Sequence, residues 1–290
     1  VNQKKAVESE VLITKTENQA IQALMKIIKK RKGTAQEPEL WDRLAELYMR
    51  RAKSGRFFDL NRGDQGPVRF APPAIRGESA AANLRRAVEV YTKIEREFPK
   101  FEDMDEVLFN NAFASQQLGL KKNSEALYIK VLNQHPRSAL VPDSLLALGE
   151  MSYDDHKFAD ALEFFIRIEK YPESRVYTYG MYKAAWAYYN RKDNDNAINK
   201  LVQVVKLQDP SNGPDGSHNV NLSLRSESLR DLAIFYGETR PASDAYNFFN
   251  KIASTDEVGE AMINLGKLYD SHSRFKEMNI FLADFIDRQP

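Results

Sequence analysis

At 290 residues, with 42 Lys and Arg against 41 Asp and Glu, the chain carries a formal charge of +1. That balance excludes the long-range field that gathers nucleic acid or an anionic membrane. The absence of cysteine excludes disulfides, thiolate zinc sites and cysteine nucleophiles, and leaves the redox compartment open. No stretch approaches the roughly eighteen apolar residues that a bilayer-spanning helix needs. The opening Val1-Asn2-Gln3-Lys4-Lys5 has neither a start methionine nor a hydrophobic signal core, so the chain reads as a trimmed or processed piece of something longer.

Residues 8–32 predict one amphipathic helix, with Leu12, Ala20, Ala23, Leu24, Ile27 and Ile28 on a stripe, ended by Gly33 and followed by Pro38. It reads as the second helix of an incomplete first hairpin. Its basic end, Lys26, Lys29, Lys30, Arg31 and Lys32, reads as a solvated helix terminus whose cations suit the negative pole of the dipole. The spacing Trp41-Leu44-Ala45-Tyr48 predicts a second helix, with Trp41 buried, extending toward Phe58 before Gly63 and Gly66-Pro67. Residues 53–80, with Pro72-Pro73, are expected to be an inserted segment, and the partner helix runs from Ala82 to Phe98, closed by Pro99.

The large-small-large spacing returns at Leu145-Leu148-Gly149, Met181-Ala184-Ala185-Tyr188, Leu229-Leu232-Ala233-Tyr236 and Met262-Leu265-Gly266-Tyr269. Second runs follow at Ala161-Phe165-Ile168, Ala197-Leu201-Val204 and Ala245-Phe249-Ile252. The pattern is helix, turn, helix, repeated at a period of roughly 34 residues, and therefore one continuous stack. Ala87, Ala126, Ala161 and Ala197 are the expected small residues where the helices of a hairpin cross closely. On that register the turn between Leu118-Gly119 and Ala126 holds about two residues too many. Pro99, Pro136, Pro172 and Pro290 close second helices. Residues 209–222, rich in Asp, Asn, Gly and Pro, read as a loop inserted between hairpins or as a boundary between subdomains.

Trp41-Leu44-Ala45-Tyr48 with Ala87-Tyr91-Ile94-Pro99 resembles a tetratricopeptide repeat split by a long insertion. Leu145-Leu148-Gly149-Phe158-Ala161-Phe165-Ile168-Pro172 resembles an uninterrupted one. Within that superfamily, the stretch from Arg43 to Met49 and the stretch from Tyr171 to Asn190 are similar to repeat proteins of bacterial envelopes associated with adventurous gliding motility. The resemblance implies a periplasmic or outer-membrane-associated scaffold in a multiprotein envelope complex, with a cytoplasmic placement as the alternative. The expected fold is all-α, a single right-handed superhelical solenoid of about six hairpins over residues 1–290, with insertions at 53–80 and 209–222.

In a stack of this kind the first helices line the concave face. Tyr179, Tyr182, Trp186 and Tyr189 form an aromatic stripe there, apart from the core stripe of Met181, Ala184, Ala185 and Tyr188, with Glu150 and Tyr153 before it and Arg230 after it. Two readings stand: a partner surface of aromatics with hydrogen-bonding edges, or packing against the next hairpin or the inserted loop. A chaperone-type carboxylate clamp needs Lys and Asn at set concave positions. Here those positions hold Asp42 and Glu46, Leu146 and Glu150, Tyr182 and Trp186, Arg230 and Ile234, Ile263 and Lys267, so no acidic C-terminal tail is expected as ligand.

Nothing points to catalysis. His135, His156, His218 and His272 fall in different repeats without helical metal spacing, and there is no phosphate loop or nucleophile elbow. Asp209 to Asp215 lacks the closing Glu of a calcium loop. The expected function is a non-catalytic scaffold without metal or cofactor that binds a protein or peptide partner, not nucleic acid. The alternatives are a small-ligand or glycan binder, which stacked Tyr and Trp faces would serve equally, and a self-associating structural solenoid.

Overall fold

The computed structural model describes residues 2–60, 79–209 and 222–288, and of residues 2–4 and 222 the backbone alone. The described residues form thirteen α-helices and two short 3-10 turns, with no strand. The chain divides into two compact units, Val1–Ser144 and Leu145–Pro290.

The first unit begins with α1 (Asn2–Lys30) and α2 (Glu37–Leu60). Lys29 and Lys30 close α1 at its negative pole, and Gly33 turns the chain at φ 78°. Glu37 then accepts from the Gly33 amide (2.6 Å) and from the Trp41 indole (3.1 Å). Trp41 is therefore half-buried at the helix start with Lys93 over its ring, where the spacing predicts a buried residue. The fully buried Arg51 guanidinium ties α2 to α1 through Asn18 (3.1 Å) and Glu17 (4.0 Å).

α2 continues through the first part of the expected insertion to Leu60, and α3 spans Ala80–Glu97. Residues 61–78 of that insertion lie outside the described residues. The two helices approach closely at Gly55, where a Cβ would stand 2.8 Å from the Ala80 backbone nitrogen. Ser79 caps α3 by accepting from the Ala82 amide, and Asp59 accepts from the Ala80 amide. α4 (Met104–Gln117) and α5 (Lys121–Gln134) follow.

The boundary falls within α6 (Val141–Asp154), and from Leu145 onward the second unit contains the rest of that helix, α7 (Phe158–Arg167, extended by a 3-10 turn over Ile168–Lys170), α8 (Tyr177–Asn190) and α9 (Asn194–Leu207). It continues with α10 (Leu222–Thr239), a 3-10 turn (Ala242–Asp244), α11 (Ala245–Asn250), α12 (Thr255–Ser271) and α13 (Phe275–Arg288). Residues 210–221 of the loop expected at 209–222 lie outside the described residues. Met181, Tyr182, Ala185, Leu201, Leu232, Phe235, Leu265 and Phe281 belong to one continuous core. Gly149 shows why α6 needs a small residue: a Cβ there would fall 2.4 Å from the Phe165 ring of α7. Arg225, at 2 % exposure, bridges α9, α10 and α12 by donating to the Val205 carbonyl (2.5 Å) and to both carboxylate oxygens of Glu257 (2.6 and 2.9 Å). That pairing holds the Glu257 carboxyl down at about 2, against the cost of its burial.

Four hairpins share one turn. The α4–α5, α6–α7, α8–α9 and α12–α13 connections each place one residue in left-handed geometry: Gly119 (φ 74°), His156 (φ 59°), Lys192 (φ 64°) and Ser273 (φ 56°). In each, the next amide returns to the carbonyl five residues back: Leu120 to Ser115, Lys157 to Ser152, Asp193 to Tyr188, Arg274 to Tyr269. This closes the orphan carbonyls at the helix end.

The common turn corrects the register expected for α5. The connection around Gly119 is no longer than its counterparts, and Ala126 is exposed. Ser124, fully buried, is the fourth residue of α5, as Ala161 and Ala197 are the fourth residues of α7 and α9. The serine takes the place of alanine at the crossing because its hydroxyl bonds the Lys121 carbonyl within its own helix (3.3 Å). A search for small apolar residues therefore passes over it and stops two positions late.

Candidate functional site

Six of the seven residues expected to form the partner surface meet around α8, which lies between α6 and α10 within the second unit. On the α6 side, Tyr179 donates to Glu150 (3.4 Å), and Lys183 pairs with the same carboxylate (3.2 Å). The Lys183 ammonium also lies over the Tyr153 and Tyr179 rings, 5.7 and 5.5 Å from their centroids. Burial works against the Lys183 charge, but Glu150 and Tyr179 more than offset it and raise its pKa. Tyr153 accepts from the Asn190 amide (2.7 Å) and meets Phe158 edge to face.

On the α10 side, Asp231 is 5 % exposed and accepts from both the Tyr182 hydroxyl (2.7 Å) and the Trp186 indole (3.0 Å). Burial raises the Asp231 pKa, and the two donors oppose that rise. The Tyr182 hydroxyl is in turn pushed well above the usual phenol range, first by burial and then by its bond to the carboxylate. Tyr189 stacks on Phe235 at 4.1 Å and 4° and donates to Glu238, while Trp186 meets Phe235 edge to face at 5.0 Å. Each such aromatic pair adds about 0.5 to 1.5 kcal/mol beyond the area it buries.

The stripe is therefore graded. Tyr182 belongs to the core, Trp186 and Tyr189 are half-buried, and Tyr179 is exposed at 37 %. Arg230 stands apart as an exposed side chain with only distant charges, Glu227 at 3.7 Å and Asp231 at 3.9 Å. The residues missing from the sequence reading are the acceptors and braces: Asp231, Lys183, Asn190, Phe235 and Glu238. Asp231 was available as a signal, being an acidic residue wedged between the core positions Leu229 and Leu232.

What the arrangement offers chemically is a rigid amphipathic surface. The buried edges of the aromatics are fixed by a carboxylate, and their free faces carry a Glu–Lys pair. Among the described residues no group of three or more metal-ligating side chains converges, and no helix is long and apolar enough to cross a membrane.

The repeated hairpins, common turn and close-packed small residues define a helical-hairpin repeat protein. Residues 179–210, which comprise most of α8 and all of α9, match the tetratricopeptide repeat family. No curated protein sequence matches the chain. Among solved structures, BtubC (BKLC) from P. vanneervenii is similar with a TM-score of 0.51 and 13 % identity, covering 96 % of this chain and 89 % of its own. A tetratricopeptide repeat protein from Parabacteroides merdae has a TM-score of 0.51 and 15 % identity, covering 100 % of this chain and 94 % of its own. At these identities the likeness is one of fold. Tetratricopeptide-like repeats generally mediate protein–protein interaction and are typically non-catalytic scaffolds.

Proposed function

We propose that this chain is a non-catalytic protein-interaction scaffold that takes a partner segment on the face built by α6, α8 and α10. The observation that carries the proposal is the exposed Tyr179 beside the Lys183–Glu150 pair, next to aromatics already held by Asp231. Contact area whose rotamers are already fixed costs little entropy to bind. A partner with an apolar side chain for the Tyr179 and Tyr153 faces and a polar group for the Lys183–Glu150 pair suits this surface.

The test replaces Tyr179 and Lys183 together by Ala and measures partner capture beside helicity. Capture should fall at least tenfold with helicity unchanged; unchanged capture would remove the face from consideration. The paired change Tyr182→Ala and Trp186→Ala should also abolish capture, but it additionally strips Asp231 of both donors. On the sequence likeness alone we place the scaffold in a bacterial envelope or gliding-motility-type complex, periplasmic or bound at the outer membrane. Fractionation of native cells tests this, and recovery wholly in the cytoplasm would defeat it.

A further inference from the structure

Exposed apolar surface is concentrated on two helices. Of the fourteen large apolar side chains exposed among the described residues, four lie on α1 and three on α13, and no other helix has more than one. Each of these helices lies wholly within one unit, α1 in the first and α13 in the second.

The common turn supplies a standard against which α13 stands out. The residues nine and twelve positions after the left-handed residue are Tyr128 and Val131 in α5, Phe165 and Ile168 at α7, and Leu201 and Val204 in α9, all at most 1 % exposed. In the last two of these hairpins the next first helix packs on the second, α8 on α7 and α10 on α9. Ile168 seats directly on α8, where a Cβ at Gly180 would fall 2.8 Å from its side chain. The counterparts in α13 are Leu282 and Phe285, and both are only half-buried. One position further on, Ile286 is 61 % exposed where Val205 of α9 is 0 %. Phe275, Asn279, Leu282 and Ile286 follow at i, i+4, i+7 and i+11 and so share one side of α13. α13 packs on α12, on α11 and on the 3-10 turn before it, and leaves that side open.

α1 has the complementary shape. It buries the row Val7, Thr14, Ile21 and Ile28 and meets α2. Leu12, Ala23 and Ile27, members of the stripe read from the sequence, are instead exposed on the other side of the helix. Between the bulky Ile13 and Ile27 on that outer side stand Thr16, Ala20 and Ala23, at i, i+4 and i+7. Gly180, Ala184 and Ala187 have the same spacing on α8, starting at the glycine that receives Ile168. The Thr16 hydroxyl donates to the Leu12 carbonyl of its own helix (3.0 Å), so covering it strands no donor. Small residues between large ones make a groove that a ridge of bulky side chains enters.

We infer that α13 of one molecule docks on the outer face of α1 of a second copy, so that the chain associates with itself head to tail. Phe275, Leu282 and Ile286 are the ridge, and Thr16, Ala20 and Ala23 are the groove. The contact continues between copies the packing that α8 makes on α7 and α10 on α9 within the chain. Charge favours this pairing over that of α13 with itself: α1 carries six lysines against three glutamates, whereas α13 carries two cations against three carboxylates. Because the two faces differ, the contact is heterologous, and every molecule has one of each to offer. One helix on one helix is a small interface, below about 1,200 Å², so the association is weak and reversible. The assignment does not rest on the face built by α6, α8 and α10.

The experiment follows the mass of the whole chain by sedimentation velocity from about 1 to about 200 μM, where so small an interface is visible. The mass of the unaltered chain should rise with concentration. Ile286→Glu on α13 and Ala23→Glu on α1 should each weaken the association at least tenfold, whereas Ile263→Glu, at an exposed apolar position of α12, should leave it unchanged. An equimolar mixture of the first two variants should associate again and stop at the dimer, because one still offers its α1 and the other its α13. All three replaced residues are exposed, so helicity should be kept, and circular dichroism checks it. An unaltered chain that stays monomeric throughout, or a mixture that does, would overturn the docking. Undiminished association of the Ala23 variant would assign α13 to its own counterpart and overturn the choice of α1. An equal loss in the Ile263 variant would reduce the contact to unspecific adhesion and overturn it as well.

Discussion

In α8 the positions three before and one after the buried Ala185 are Tyr182 and Trp186, and in α2 the positions standing likewise to Ala45 are Asp42 and Glu46. The backbone frame is the same, yet one pair donates into a buried Asp231 and the other adds two negative charges to a face that already holds Glu106. The difference teaches that in a hairpin repeat the small and bulky positions secure the stack, while positions beside them are free to carry opposite chemistries. Where the pair across neighbouring helices is complementary the face is closed and rigid. Where it is not, as at Asp42, a buried carboxylate oxygen is left without a hydrogen-bond partner.

The comparison is broken most severely at Asp231. Replacing it by Ala strands the Tyr182 hydroxyl and the Trp186 indole together, and chemical denaturation should show a loss of about 3 kcal/mol. Tyr182→Phe removes one donor but keeps the ring in the core and leaves Asp231 its bond to Trp186. The same measurement should register about 1.5 kcal/mol, the range of a hydrogen bond to a charged group.

At Asp42 the sign reverses. Its folded carboxyl titrates near 7 against an ordinary 3.8, so the folded state binds the proton more tightly. The destabilisation is absent below about pH 3.8, grows as pH rises through that window and is complete above about 7. Asp42→Asn should therefore stabilise the chain at pH 8 by roughly 1 kcal/mol, after allowing for solvent screening of a partly exposed group. The gain should vanish toward pH 4 in melts compared across pH; a gain equal at both ends would refute the assignment of charge as its cause.

The smallest effect concerns the turns. The left-handed position of the α4–α5 turn is Gly119, whereas its counterpart in the α8–α9 turn is Lys192. Lys192→Gly should relieve the left-handed backbone cost while forfeiting the contact of its ammonium with the Tyr189 ring, 5.6 Å away. A net gain of about 0.5 kcal/mol is expected in thermal denaturation.

Much of this frame is legible without coordinates. Leu44, Ala45 and Tyr48, or Leu229, Leu232, Ala233 and Tyr236, declare the buried side of a helix by spacing alone, since a side chain's face follows from helical periodicity. Ser124 escaped because a buried serine satisfied within its own helix looks polar to a pattern built on apolar residues. The turns at His156, Lys192 and Ser273 escaped because left-handed geometry there is imposed by the hairpin and not announced by glycine.

The aromatic stripe divides along the same line. That Tyr179, Tyr182, Trp186 and Tyr189 share one side of a helix is a consequence of local geometry, and the sequence suffices for it. Which of them is core and which is exposed depends on Asp231, Phe235 and Glu238, residues 42 or more positions downstream that only the packing of α10 against α8 brings near. Likewise, the acidity of Asp42 is set by burial and by Glu106 on another helix, neither of which is visible in its own neighbourhood of the chain. The sequence by itself determined the hairpins, the register of most of them and the all-helical class, because those rest on short-range periodicity. The tertiary structure decided which polar groups find partners across helices, because hydrogen bonds and charge interactions depend on distances that repetition alone does not specify.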